Sequence, residues 1–184
     1  MLNAARFLTG EAVDGRLWDV TVALGAEILA QAGIARGVED GADRMAMVFE
    51  SGAAAEKFDA MVRALGGPAD FIEEHERHLV AAPLVREVTA TEPGFVAAID
   101  TRRLGLAVVE LGGGRRRASD RIDHAVGLDE LLGLGAAVDV GTPLARVHAA
   151  DADALAHAEA RVRAAYHIGD APVAETPLIL DRIA

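Results

Sequence analysis

Three consecutive glycines followed by three consecutive arginines form the stretch of this sequence best suited to bind an anion. The arginine loop comprises Gly112, Gly113, Gly114, Arg115, Arg116, Arg117, Ser119 and Asp120. From Thr101 to Arg121 there are six arginines against two acidic residues, in a chain whose net charge is −11. Successive glycine N–H groups can cradle an anion, and guanidinium groups match phosphate and carboxylate. The loop therefore predicts contact with phosphate or with an acidic surface, unless its glycines only end a helix and its arginines are solvated.

Few other residues could take part in catalysis or metal binding, and they are scattered along the chain. His75 and His78, with Glu73, Glu74 and Glu76, have a spacing that zinc could use, but such sets on acidic helices are mostly solvated, and we predict no metal site. Asp120 and Asp123 could act as a carboxylate pair, although pairing with Arg121 or Arg117 fits a hydrophilic loop better. Four histidines lack a nearby nucleophile and are predicted to be structural: His124, His148, His157 and His167.

The bulk composition narrows the classes of function. The 184 residues are 52% hydrophobic, enough for one domain with a good core or two small ones. The acidic balance disfavours nucleic acid and anionic membranes as partners. Cysteine is absent, which excludes disulfides and fits a reducing cytoplasm, and no signal peptide or membrane span is evident. Lys57 is the single lysine, and no bound cofactor is predicted.

The elements that position these residues change character near residue 82. Apolar periodicity and glycine stops predict helices over Leu2–Leu8, Leu17–Ala32, Val38–Phe49, Ala54–Leu65 and, as a short helix or turn, Asp70–Leu79. In the Leu17–Ala32 helix the apolar arc is wide enough to be buried on more than one side. Because the chain opens in mid-helix, we expect further sequence upstream.

Short β-branched groups after Pro83 predict strands that alternate with two helices. The strands are expected at 84–90, 95–99, 135–138, 143–148, 166–168 and 178–180. One helix begins after Asp100, its cap, and ends at Gly112 in the left-handed conformation. The other covers 151–165 with Leu155, Ala158 and Val162 inward. We therefore predict an α+β fold, with a helical segment at 1–82 and a compact α+β domain of barrel-sandwich-like type at 83–184.

Several of these motifs occur together in one known family. They are Phe7-Leu8-Thr9-Gly10, Arg16-Leu17-Trp18-Asp19-Val20-Thr21, Gly66-Gly67-Pro68-Ala69-Asp70-Phe71, Gly94-Phe95-Val96, Asp100-Thr101-Arg102, the arginine loop, Ile122-Asp123 and Gly141-Thr142-Pro143-Leu144. In this order they closely resemble the C-terminal part of thymidine phosphorylase and its pyrimidine-nucleoside phosphorylase relatives.

The resemblance implies a function that this chain carries only in part. It implies phosphorolysis of thymidine to thymine and 2-deoxyribose 1-phosphate, by a cytoplasmic homodimer whose α and α/β domains close over the substrates. In that family a Lys-His-Ser segment, a glycine-rich loop and an arginine, serine and lysine set bind phosphate and base, and none of these occurs here. We therefore expect no catalytic residue in this chain and no activity from it alone. The resemblance also favours a docking or domain-closure role for the arginine loop.

Two alternatives remain open: one half of a split phosphorylase, and a non-enzymatic binding or scaffold module. The glycine, valine and proline rhythm after residue 122 is also similar to barrel-sandwich domains that carry biotin or lipoate on a lysine. No lysine follows Lys57, so the carrier form of that alternative is excluded.

Overall fold

A computed structural model describes residues 1–174 and 177–183. Within those ranges the helices are α1 (Leu2–Leu8), α2 (Gly15–Gln31), α3 (Val38–Glu50), α4 (Ala53–Ala64), α5 (His75–His78), α6 (Thr101–Leu111) and α7 (Ala152–Ala165). The strands are β1 (Leu84–Thr89), β2 (Gly94–Ile99), β3 (Gly127–Asp129), β4 (Ala137–Val138), β5 (Pro143–Ala149) and β6 (Tyr166–Gly169). None of these helices has the length and apolarity needed to cross a membrane.

The described chain divides into two compact units. The helical unit comprises residues 1–79 together with 177–183, and the α+β unit comprises residues 80–174. The predicted α+β class, with a helical segment first, is confirmed.

The helical unit is organised around the antiparallel pairing of α2 and α3. A Cβ added to Gly25 would lie 2.5 Å from the Met45 side chain, and one added to Gly41 would lie 2.7 Å from the Ala26 carbonyl oxygen. The close approach of the two helices therefore requires glycine at position 41, where the neighbour is backbone, whereas the neighbour of Gly25 is the flexible end of a methionine side chain. At the other end of the pair, the rings of Trp18 and Phe49 have centroids 4.7 Å apart, so Trp18 serves as a packing residue between the two helices.

The α+β unit contains two three-stranded antiparallel sheets. In one the strand order is β1-β5-β3, and in the other it is β4-β2-β6. In the first sheet Val88 pairs with Ala145 and Leu128 with Val147. The odd-numbered inward positions of the central strand carry small or branched apolar side chains, as a half-buried strand requires.

A single core joins these sheets to α6 and α7. Fifteen buried residues form it, and Val88, Val96, Val147, Leu155 and Val162 are 2% exposed or less. The inward stripe predicted for residues 151–165 is confirmed, since Leu155, Ala158 and Val162 are all buried. This core fixes the two ends of α6, and α6 in turn positions the arginine loop.

One local prediction differs from the structure. The strand expected at residues 178–180 is wrong, because these residues have no regular structure and belong with the helical unit. Leu180 is 85% exposed and no strand neighbours it within the described residues, so its apolar character alone does not make a strand. The Asp70–Leu79 stretch, predicted as a short helix or turn, contains a turn followed by the helix His75–His78, and Phe71 in the turn is buried.

Candidate functional site

Helix α6 presents the arginine loop at its carboxyl end. The Asp100 side chain accepts a hydrogen bond of 2.9 Å from the Arg103 N–H and caps the helix, as predicted. Leu104, Ala107 and Leu111 are buried in the core. The helix then ends at Gly112, whose φ of 98° is left-handed, again as predicted. Cap, buried stripe and terminal glycine together give the loop a fixed starting point.

The glycines of the loop serve helix termination and close packing. The N–H groups of Gly112 and Gly113 donate to the carbonyls of Val109 and Val108, at 3.1 and 3.0 Å. A Cβ on Gly113 would lie 3.0 Å from a Val108 methyl, and one on Gly114 would lie 2.8 Å from a Val109 methyl. The Gly112 and Gly113 amides are therefore engaged with α6 and do not form the anion cradle that the sequence suggested.

Asp120 occupies the next pair of amides. Its Oδ2 atom accepts hydrogen bonds from the backbone N–H groups of Arg116 and Arg117, at 3.0 and 2.8 Å. The sequence had suggested a pairing with an arginine side chain instead. An internal carboxylate thus fills the position where an external phosphate would meet these backbone donors.

The guanidinium groups of the loop remain available to a partner. Arg115, Arg117 and Arg121 are exposed, and in residues 1–174 and 177–183 they form no ion pair. Arg116 is 65% exposed at its side chain and lies 4.0 Å from Glu110. The loop therefore presents outward positive charge on an otherwise acidic protein, which suits an acidic protein surface or an anion bound by side chains.

Glu110 ties α6 to α7 beside the loop. It accepts two hydrogen bonds from the Arg161 guanidinium, at 2.9 and 3.0 Å, and its Oε2 lies 2.9 Å from His157 Nε2. Partial burial acts to raise the pKa of the Glu110 carboxyl, but His157 and Arg161 lower it more, so that pKa lies below its ordinary value. The sequence analysis did not predict this cluster, because Glu110 is about fifty residues away from both of its partners along the chain.

A second carboxylate cluster lies on the β1-β5-β3 sheet. Asp129 accepts hydrogen bonds of 2.8 and 2.7 Å from Arg146, and its Oδ1 lies 3.0 Å from His148 Nε2. Burial acts to raise the pKa of Asp129, but hydrogen bonds from Arg146 and His148 outweigh it and leave that pKa below its usual value. Both partners stabilise the ionised carboxylate, so this cluster is suited to holding strands together rather than to proton transfer.

The remaining candidate residues do not assemble into a reactive site. His75 Nδ1 lies 3.0 Å from the Ile72 carbonyl oxygen, and His78 Nε2 lies 2.8 Å from Asp70. No group of three or more His, Asp or Glu that could hold a metal occurs in the described part of the chain. His124 and His167 are exposed. The predicted absence of a metal site stays a prediction for the protein as a whole.

Asp123 and Ser119 complete the loop without forming a catalytic pair. Asp123 accepts from the Ala125 N–H at 2.9 Å and donates its own N–H to the Gly112 carbonyl. Ser119 is exposed. Within the helical unit, a depression is lined by four glutamates with His75 and Arg77, and its excess of carboxylates does not suit phosphate: Glu11, Glu73, Glu74 and Glu76. The arrangement as a whole can bind an anionic group or surface.

Part of the chain matches a known family, and most of it is similar to a curated protein. The family described as "Pyrimidine nucleoside phosphorylase C-terminal domain" matches residues 95–169, a range that includes α6, the arginine loop and α7. A thymidine phosphorylase from Burkholderia lata is 49% identical over 168 residues, which cover 91% of this chain and 38% of that protein. The chain thus spans about two-fifths of the length of this curated relative.

Proposed function

The chain matches a C-terminal portion of the thymidine phosphorylase and pyrimidine-nucleoside phosphorylase family, and from this premise we propose that it is the C-terminal part of a phosphorolytic pentosyltransferase. In the proposed reaction a phosphate oxygen attacks the anomeric carbon of thymidine while the bond from that carbon to the base breaks. The products are thymine and 2-deoxyribose 1-phosphate. The observation that carries the proposal is the 49% identity over 168 residues.

This chain is proposed to be inactive by itself. Its strongest anion-binding feature is a set of exposed arginines, whereas phosphorolysis also needs groups that orient the base and the sugar. The resemblance assigns those groups to segments that do not occur in this sequence. We propose that residues 1–82 belong to the α/β domain of the complete enzyme and that residues 83–184 form its C-terminal domain.

The test compares the chain with a completed enzyme. A chimaera joins the part of the Burkholderia lata thymidine phosphorylase that precedes the matched region to the first matched residue of this chain. Thymine release from thymidine and phosphate is then measured for both proteins. We expect turnover from the chimaera and none from the isolated chain. Turnover of the isolated chain above about 1 per second, typical of an enzyme, would contradict the proposal.

The arginine loop is proposed to act as an ion-pair latch when the domains of the complete enzyme close. Support comes from the outward guanidinium groups of Arg115 and Arg117 and from the occupation of nearby amides by Asp120. Direct contact with phosphate is the competing role, and a solvated loop is the third.

Kinetics of the chimaera separate these three roles. The Arg115→Ala/Arg117→Ala variant is expected to lower kcat about tenfold, the effect of about 1.4 kcal/mol, with an unchanged KM for phosphate. Arg102→Ala removes another exposed arginine, on α6, and serves as the control. A raised KM for phosphate with unchanged kcat would instead indicate direct contact, and no effect would indicate a solvated loop.

The proposal also includes the oligomeric state and the cellular location of the complete enzyme. We expect the complete enzyme to be a cytoplasmic homodimer that uses phosphate and a pyrimidine nucleoside and binds neither nucleic acid nor membrane. The net charge of −11 supports the exclusion of polyanions. Sedimentation of the chimaera checks the dimer.

A further inference from the structure

Helix α2 has two apolar sides, and α3 covers one of them. Gly25, Ala26 and Trp18 lie on the covered side, against Met45, Gly41 and Phe49 respectively. The sequence predicted an arc wide enough for burial on more than one side. The structure therefore leaves the other side of this helix to be explained.

The second side is a stripe that bears no charge. Leu17, Leu24 and Ile28 recur at i, i+7 and i+11, so they lie along one line of the helix, and they are 37, 57 and 66% exposed. Val20, Thr21 and Gln31 fall on the same arc by their spacing. The stripe from residue 17 to residue 31 is about 20 Å long at 1.5 Å per residue. An uncharged exposed stripe of this length is unusual for a solvated helix face.

The nearest acidic residue is already neutralised. Glu27 lies at the border of the stripe, and its carboxylate accepts from the Arg182 guanidinium at 2.6 and 3.1 Å. Ile183 lines the same depression as Glu27, Ala30 and Gln31, and it adds another apolar side chain that is 96% exposed. The surroundings of the stripe thus favour an apolar protein surface over a charged partner.

We infer that the α2 stripe, Leu17, Leu24 and Ile28, is the surface that docks the portion of a phosphorylase that this chain does not span. This inference rests on the proposed function. The match to the Burkholderia lata enzyme covers 168 of the 184 residues, so a continuous match includes Leu17, Leu24 and Ile28 wherever it starts. The chain spans 38% of that relative, so the relative contains ample further polypeptide that could cover such a stripe.

The experiment introduces two glutamates into the stripe, both in a protein that lacks the proposed partner portion and in one that contains it. Leu24→Glu/Ile28→Glu is made in the isolated chain and in the chimaera described above. Val140→Glu, which alters a side chain that is 68% exposed in the α+β unit, is the matched control. In the isolated chain both variants should keep the helical circular dichroism of the parent, because these side chains already contact solvent.

In the chimaera the two variants should differ. We expect Leu24→Glu/Ile28→Glu to reduce the yield of monodisperse protein at least tenfold, because it buries two charges, while Val140→Glu leaves the yield unchanged. Equal yields for the two variants would overturn the inference, and so would an unmutated chimaera that fails to fold. A third result would identify a second copy of the chain as the occupant of the stripe. In that case the isolated chain forms a stable dimer, only the double variant dissociates it, and the chimaera tolerates the same double substitution.

The proposed function fails in a different way. If the unmutated chimaera folds, and the variants differ as expected, but no thymine is released, the docking surface stands and the proposed reaction is wrong. Yield and turnover therefore test the two proposals separately.

Discussion

The helical unit and the α+β unit have similar lengths but bury their apolar residues to very different extents. Fifteen buried residues form one continuous cluster in the α+β unit. The buried cluster of the helical unit consists of Ala5, Val62 and Phe71, with Phe58, Ile72 and Leu79 packed against it. Both units contain well-formed helices, so the difference lies in packing and not in local helix formation.

This difference in apolar burial indicates which unit can be stable by itself. Burial of apolar area is the main favourable contribution to folding, and small cores supply little of it. In the described part of the helical unit, five large apolar side chains are at least 66% exposed: Ile28, Met47, Leu65, Leu180 and Ile183. We conclude that the α+β unit carries its own core, whereas the helical unit is stabilised further when another surface covers it.

The largest expected effect comes from the core of the α+β unit. Leu155 on α7 is 2% exposed, and Leu155→Ala should lower the free energy of unfolding by about 2–5 kcal/mol through lost burial and a cavity. Leu106→Ala removes the same atoms from a side chain that is 49% exposed on α6, and should change it by less than about 0.5 kcal/mol. Urea unfolding measures both. Similar losses in the two variants would contradict the assigned core.

A smaller effect is expected from the aromatic cluster of the helical unit. Phe49 contacts Trp18 and Phe7, with ring centroids 4.7 and 5.3 Å apart. Phe49→Ala removes two aromatic pairs and should cost about 1–3 kcal/mol. It should also move the emission of Trp18, the single tryptophan, to longer wavelength. Met47→Ala, on the same helix but exposed, is the control, and an unmoved emission in Phe49→Ala would show that this cluster does not shield Trp18.

Helix caps should matter about equally in the two units. Asp14 caps α2 by accepting from the Leu17 N–H at 2.7 Å, and Asp151 caps α7 by accepting from the Ala154 N–H at 2.8 Å. Replacement of either by alanine should cost about 1 kcal/mol, measured by thermal unfolding, and replacement by asparagine much less. A far larger loss at Asp151 than at Asp14 would mean that the units differ in local helix stability as well as in packing.

The smallest expected effect depends on pH. The pKa of Asp129 lies below its ordinary value of 3.8, since the hydrogen bonds from Arg146 and His148 outweigh the opposing effect of burial. Its contribution to stability is therefore present above pH 3.8 and is lost as the pH falls through the lower pKa of the folded state. Asp129→Asn should remove this contribution at neutral pH. The free energy of unfolding should then fall by less than about 1 kcal/mol, because the side chain is 39% exposed.

Unfolding of the α+β unit as a function of pH measures this contribution. Glu92→Gln, in the exposed turn between β1 and β2, is the control and should keep the acid-dependent loss. An Asp129→Asn variant with the same acid-dependent loss as the parent would show that another carboxylate is responsible.

Sequence reasoning succeeded where a signal is local. The cap at Asp100, the left-handed Gly112 and the inward face of α7 all depend on residues a few positions apart, so spacing alone predicts them. It failed where the partner is remote. The contacts of Glu110 with His157 and Arg161 join separate helices, and no periodic pattern in the sequence predicts them.

The arginine loop and α2 show the same limit. The sequence predicted a glycine cradle, yet the amides of Gly112 and Gly113 bind α6 carbonyls, because the geometry of the helix end decides which donors stay free. For α2 the sequence predicted the wide apolar arc but not which half α3 covers. The covered half is the one on which the backbone of Ala26 lies against Gly41, where there is no room for a Cβ.

Hydrogen exchange of the isolated chain, followed by mass spectrometry, tests most directly whether the helical unit is incomplete by itself. Amides of α6 and α7 should exchange at least about tenfold more slowly than those of α2 and α4, which corresponds to about 1.4 kcal/mol of additional opening free energy. Equal protection of the two sets of helices would contradict the account, because it would show that the helical unit needs no further surface to reach the stability of the α+β unit.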